Sequence, residues 1–152
     1  MQSPSQIPTD RHVVSLVVGG EKGEHGGVVI KWALDGGAIE AIWALGRATY
    51  DLFNDLNSFE AHRGAMKRGP RAERRFRSAL PPFGPLDYVR SGNAEIATKC
   101  QTQPAEQAID LKFDMRDGST RQYQLSRFVV EQLRAALWLH RECWAQFAQT
   151  LH

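Results

Sequence analysis

A chain of 152 residues has the length of about one domain, and it can bury roughly two thirds of its unfolded surface without disulfides or metal. Hydrophobic residues at 42% and charged residues at 24% exclude a disordered, collagen-like or coiled-coil chain. Two cysteines exclude a disulfide framework and fit a reducing cytoplasm, and no apolar run approaches the roughly 20 residues of a membrane helix. The net charge of +2 is unevenly placed: Arg63, Lys67, Arg68, Arg71, Arg74, Arg75 and Arg77 face a single Glu73, so this run carries +6 and the remainder −4.

In chain order, residues 1–10 hold prolines and serines without an apolar run and read as a disordered tail lacking a secretory signal. A single domain is expected over 11–152. Valine-rich His12 to Val18 predicts a strand, and glycine-rich Gly19 to Gly27 a mobile hairpin loop. Val28 to Leu34 alternates, with Val28, Ile30, Trp32 and Leu34 on one face. Asp35-Gly36 then predicts a tight turn. Ala38 to Ala44 returns with Ile39, Ala41 and Trp43 sharing a face. Leu45, Ala48, Thr49, Leu52, Leu56 and Phe59 recur at helical spacing, with Gly64 as the stop and Asp51, Asp55 and Glu60 on the wet side.

A basic, proline-rich connector occupies about 63–86, with a short helix expected near Arg71 to Leu80. From Tyr88 the pattern restarts, with strands at Tyr88 to Val89 and Glu95 to Cys100 and a polar loop from Gln101 to Glu106. Ile109, Leu111, Phe113 and Met115 alternate with Asp110, Lys112 and Asp114, which specifies an antiparallel strand with one wet face. Thr120 to Leu125 pairs back, and Ser126 is placed to cap a final helix. Val129, Leu133, Leu137, His140, Trp144, Phe147 and Leu151 form a seam that predicts a helix running nearly to His152. At about 1.5 Å per residue it would span about 40 Å, which suits a homo-oligomer.

The two stretches resemble one another. Ile30, Lys31 and Trp32 fall beside Leu111, Lys112 and Phe113, and Asp35-Gly36 beside Asp117-Gly118. After a one-residue slip, Trp43, Leu45, Arg47 and Asp51 fall beside Tyr123, Leu125, Arg127 and Glu131. The expected fold class is α+β, with two antiparallel β-hairpin-plus-helix repeats, about 11–64 and 87–152, related by pseudo-twofold symmetry and sharing one core. A duplicated unit of antiparallel strands followed by one helix is similar in outline to the Whirly-type single-stranded nucleic-acid-binding fold. That family's Lys-Gly-Lys-rich strand motif has no counterpart here, and Asp110 and Asp114 would repel a phosphate backbone. The resemblance therefore carries no site residue over.

Candidate chemistry is sparse. His140 and Cys143 stand three apart, with Cys100 and His62 elsewhere, a weak zinc pattern that reads as structural. Gly19 to Gly27 lacks the following helix that a phosphate cradle needs. No nucleophile turn is evident, so the expectation is no enzyme, no catalytic residue, no metal and no cofactor. Trp138 falls away from the seam beside Arg134 and Arg141, either as a local stacking contact or as an interface anchor. The basic run, with Phe76 inside it, suits forked contacts to phosphate or carboxylate. Two functions follow: a protein-interaction module of the inhibitor, immunity or assembly type that meets an acidic protein surface, or a single-stranded nucleic-acid binder.

Overall fold

Strict alternation makes the strands, and glycine turns reverse them. The computed structural model describes residues 7–61 and 94–147. In chain order these form β1 (Val13–Gly20), β2 (Val28–Leu34), β3 (Ile39–Ala44) and helix α1 (Gly46–Ala61). Then come β4 (Glu95–Ala105), β5 (Ala108–Met115), β6 (Thr120–Ser126) and helix α2 (Arg127–Leu139), with short 3₁₀ turns at Thr9–Arg11 and Arg141–Cys143. The protein is mixed α+β, with two α-helices and one six-stranded sheet in the order β1-β2-β3-β4-β5-β6 among the described residues.

Neighbouring strands are antiparallel except β3 and β4, where Ile42, Trp43 and Ala44 run parallel to Glu95, Ile96 and Ala97. The outer strands also meet, since His12, just before β1, forms a parallel bridge with Gln124 of β6. The sheet is thus curled, and its inner face carries the fully buried Leu16, Ile30, Trp32, Ile42, Phe113 and Tyr123. Trp32 stacks on Tyr123 with centroids 4.7 Å apart and tilts against Phe113 at 6.0 Å. Helix α1 packs chiefly on β4, and α2 chiefly on β1, so each helix crosses to strands of the other half. Leu52, Leu56, Leu133 and Leu137 are fully buried there, each contributing about 1.5–3 kcal/mol. Thr49 is also buried without penalty, its hydroxyl donating to the Ala44 carbonyl at 2.8 Å.

The register of β2 and β5 and the Ser126 cap, which accepts from the Val129 amide, agree with the sequence. Several expectations are corrected. β4 continues through Gln101 to Ala105, because its polar residues pair with Ala108 to Lys112 and its wet side needs no apolar signal. In β3 the expected shared face of Ile39, Ala41 and Trp43 is present and is the outer one, Ile39 being 62% exposed, while Ile42 and Ala44 point inward. The glycine-rich loop is tied down. Gly27 N–H donates to the Cys143 carbonyl at 2.7 Å, and Gly46 N–H to the His25 carbonyl at 2.8 Å.

The last helix stops at Leu139 instead of running to His152. Its final carbonyls are taken by side chains that fold back: Trp144 Nε1 donates to Leu137 O at 2.8 Å and Arg141 Nη1 to Trp138 O at 3.0 Å. Trp144 then packs on Phe53 at 4.7 Å. Phe147 lies so close to Gly46 that a Cβ there would meet its ring at 2.2 Å. The seam after His140 is therefore buried by a reversing chain, and spacing alone does not distinguish this from a continued helix. The connector, its expected short helix, the Tyr88 to Val89 strand and most of the tail lie outside the described residues.

Candidate interaction surfaces

On the returning strand of each hairpin a charged residue falls in phase with the inner side chains: Glu40 with Ile42 and Ala44, Arg121 with Tyr123 and Leu125. The turn before β1 adds Arg11. Its Nη1 and Nη2 grip the two Glu40 carboxylate oxygens at 2.5 and 2.9 Å. Arg121 Nη1 donates to Glu40 Oε1 at 3.2 Å and the Tyr123 hydroxyl to the same oxygen at 2.7 Å, while Arg121 Nη2 reaches Glu95 at 2.5 Å. Arg11 also lies over the Tyr123 ring, 4.8 Å from its centroid, and its Nε donates to the Gln122 carbonyl at 3.1 Å.

The hydrogen bond from Arg11 outweighs burial and holds the Glu40 carboxyl at about 2. Burial, followed by the bond to Glu40, pushes the Tyr123 phenol upward. Arg121 is raised too, with burial opposing its charge and Glu95 and Glu40 overcoming it. A carboxylate gripped by two guanidiniums and a phenol stays ionised at neutral pH, which suits it to joining elements rather than to moving protons. The sequence reading missed this network, although its signal was present: Glu40 and Arg121 interrupt apolar alternation at inner positions.

Outside, the two hairpins differ sharply. Three cross-strand rows line the outer face of β1–β3: Gly19–Val29–Trp43, Val17–Lys31–Ala41 and Ser15–Ala33–Ile39. The corresponding rows of β4–β6 are Gln103–Asp110–Gln124, Gln101–Lys112–Gln122 and Lys99–Asp114–Thr120. The first face is apolar apart from Lys31 and Ser15, and Ile39 and the bulged Val14 stand 62% and 57% exposed. The second face is polar throughout, and a cleft of about 490 Å³ over it is lined by Gln101, Gln103, Asp110, Lys112, Gln122 and Ile7, among others.

The residues singled out in the sequence are dispersed. Arg63, Lys67, Arg68, Arg71, Arg74, Arg75, Phe76 and Arg77 lie outside the described residues, as does His62. Trp138 stacks on Phe53 at 5.9 Å and beneath Arg141 at 4.7 Å, the local contact weighed for it. Arg134 does not join them on an open face. It is 6% exposed, and its Nη1 is 3.5 Å from Asn57 Oδ1 of α1, because α2 turns that side toward α1. Asp55 is not on a wet side either. Burial raises its pKa, and it accepts from Thr102 Oγ1 at 3.1 Å.

Cys100 sits on β4, where burial raises its pKa well above normal, whereas Cys143 and His140 flank Gly20 of β1. Burial lowers the His140 pKa, opposed by a bond to the Val18 backbone. Among the described residues no group of three or more His, Cys, Asp or Glu side chains is arranged to hold a metal ion, and no helix is long and apolar enough to cross a membrane.

Compared with protein-family models, with curated proteins and with solved structures, the chain finds no match in any of the three. The Whirly-type outline therefore gains no support beyond the order of strands and helices.

Proposed function

We propose that the protein is a non-enzymatic interaction module, of the inhibitor, immunity or assembly type, that presents the outer face of β1–β3 to a partner. The observation that carries this reading is the contrast between two outer faces laid out on the same hairpin plan. Where β4–β6 place glutamine, aspartate and threonine in water, β1–β3 place valine, alanine, isoleucine and tryptophan. Ile39 is exposed on this face, Val17, Ala33, Ala41 and Trp43 are partly exposed and Val29 is buried, and exposed apolar surface can mark an interaction site.

The proposal includes a duplicated unit with approximate twofold symmetry. Several correspondences support it, each spaced 81 residues apart: Leu34 with Met115 at the start of the turn, Gly37 with Gly118 at positive φ, and Gly46 with Arg127 at the helix start. Irregularities match as well, at Val13/Ser15 in β1 and Ala97/Lys99 in β4. So do the junctions, since the parallel pairing of Trp43 with Ile96 has its counterpart in that of Gln124 with His12. No slip is needed after the turn.

The partner's chemistry follows from the exposed Ile39 and from the +6 carried in the sequence by Arg63 to Arg77. An acidic protein with an apolar centre suits that combination. Two buried free thiols, Cys100 and Cys143, fit a reducing compartment such as the cytoplasm.

The test is affinity capture with wild type, a face variant carrying Ile39→Thr and Ala41→Gln, and a connector variant with Arg71, Arg74, Arg75 and Arg77 changed to alanine. Each variant is expected to lose partners that wild type recovers; identical sets from all three would sink the reading. The arginine-rich run also favours a second reading, single-stranded nucleic-acid binding. Six neutralised phosphates would give a slope of log affinity against log salt near about −4. No oligonucleotide binding at low salt removes that alternative.

A further inference from the structure

Asp-Gly occurs twice in the chain, at Asp35-Gly36 and Asp117-Gly118, each time in the exposed turn of a hairpin. The dipeptide has a chemistry of its own. With no side chain on the following residue, the glycine nitrogen can reach the aspartyl Cγ and close a five-membered succinimide. Exposure does not separate the two sites, but hydrogen bonding does. At Asp117 the carboxylate accepts from the Ser119 N–H at 2.9 Å and from the Ser119 hydroxyl at 2.5 Å. The Gly118 N–H, whose nitrogen would attack, donates to the Met115 carbonyl at 3.0 Å. The bonds from Ser119 also lower the Asp117 pKa, so less of its carboxyl is in the acid form that can lose hydroxide. The turn at Asp35 is set one residue differently. Here two glycines follow the aspartate, and it is the Gly37 N–H that donates to the Leu34 carbonyl, at 2.9 Å. Among the described residues neither the Asp35 carboxylate nor the Gly36 N–H has a hydrogen-bond partner.

We propose that Asp35 is a site of spontaneous backbone modification, at which the folded chain passes through a succinimide to isoaspartate, while the turn around Asp117 protects that residue. The Gly36 nitrogen gives up its proton and bonds to Asp35 Cγ, the carboxyl in its acid form loses its hydroxyl, and one water leaves. Water then returns at either ring carbonyl. Addition at Cγ restores aspartate, whereas addition at the main-chain carbon leaves Gly36 linked through the Asp35 side chain and the α-carboxylate free. No oxidant, metal or second substrate enters. The product has one extra backbone carbon in a turn held by Leu34 N–H to Ala38 O at 2.9 Å and Asp35 N–H to His12 O at 2.8 Å. The second bond ties the turn to the residue that bridges to Gln124 and closes the sheet, so modification loosens that closure. The inference does not rest on the proposed partner face, because the reaction is internal to the turn and is read without any partner.

The full-length wild-type chain is incubated folded, in mildly acidic to neutral buffer made with heavy-oxygen water, which labels every ring that opens. Samples taken over time are digested and mapped by mass spectrometry. Isoaspartate is counted separately by methyl transfer from S-adenosylmethionine with an isoaspartyl carboxyl methyltransferase, which esterifies the freed α-carboxylate. A parallel sample is kept unfolded in denaturant. Asp35→Glu and Asp117→Glu, whose longer side chains would have to close a six-membered ring, are treated alongside.

In the folded chain, label and isoaspartate should accumulate at Asp35 at least about tenfold faster than at Asp117, where three hydrogen bonds must first break. In denaturant the two rates should converge. Asp35→Glu should lose most of the methyl acceptance of folded wild type, Asp117→Glu should retain it, and the aged fraction should melt below fresh protein. Equal or reversed rates in the folded chain, or no isoaspartate at Asp35, would overturn the proposal. The same ratio in denaturant would overturn it too, since the difference would then lie in the flanking sequence and not in the fold. An aged fraction that melts with fresh protein would overturn the link to sheet closure. Loss of captured partners by the face variant has no bearing on these outcomes, so the two readings fail separately.

Discussion

The outer faces of β1–β3 and β4–β6 share strand pairing, turn geometry and a central lysine, Lys31 or Lys112, yet differ in almost every other side chain. Both hairpins fold with nearly the same inner set: Leu16, Ile30 and Trp32 in one, Cys100, Leu111 and Phe113 in the other. The polar face demonstrates that this hairpin plan needs no apolar residues on its outside. On the first face Val29 is buried and Trp43 Nε1 donates to the Gly26 carbonyl, which leaves the exposed Ile39 as the residue that the fold does not account for.

The comparison can be broken first at the seam that both halves share. Glu40→Gln leaves two arginines without their carboxylate at a partly buried position, and is expected to cost about 1–2 kcal/mol, measured by denaturant unfolding. The same group sets a pH dependence. Its pKa falls from 4.5 to about 2 on folding, so its stabilisation is complete above 4.5 and is lost as pH drops toward 2. Wild type should therefore lose melting temperature on acidification through that window, and Glu40→Gln should show a flatter profile there.

Helix capping gives a smaller effect. Ser126→Ala removes the acceptor for the Val129 amide and should cost about 0.5–1 kcal/mol, toward the low end because the bond is 3.4 Å long. Arg141→Ala strips the cation from Trp138 and one carbonyl cap from α2, with an expected loss of about 0.5 kcal/mol. The smallest change in stability sharpens the comparison most. Ile39→Thr with Ala41→Gln gives the first face residues that the second already carries, and the melting temperature should move by the equivalent of about 0.5 kcal/mol or less.

Much of this architecture was legible in the sequence, because β2, β5, α1 and the first turns of α2 carry alternation or helical spacing that only one register satisfies. What escaped notice had contrary local signals. The end of β4 reads as a loop because Gln101, Thr102 and Gln103 look like connection chemistry, and only the ladder to β5 reveals a strand. The reversal after Leu139 was hidden because Trp144 and Phe147 keep helical spacing while packing on Phe53 and Gly46. Arg134 looked like surface because it falls away from the apolar seam beside Trp138, yet α2 needs that side for contact with α1. The seam network depends on residues as far apart as Arg11 and Arg121, a proximity that periodicity does not encode.

The central claim, that the face of β1–β3 is covered in use and the face of β4–β6 is not, has a direct measurement. Ile39→Cys and Thr120→Cys place single thiols at matching positions on the two faces, while native Cys100 and Cys143 are buried and slow to react. Labelling rates with a maleimide are compared for each purified variant alone and in a concentrated extract of the source cells. The account predicts that extract slows labelling of Ile39→Cys and leaves Thr120→Cys unchanged. Equal rates at both positions, with and without extract, would contradict it.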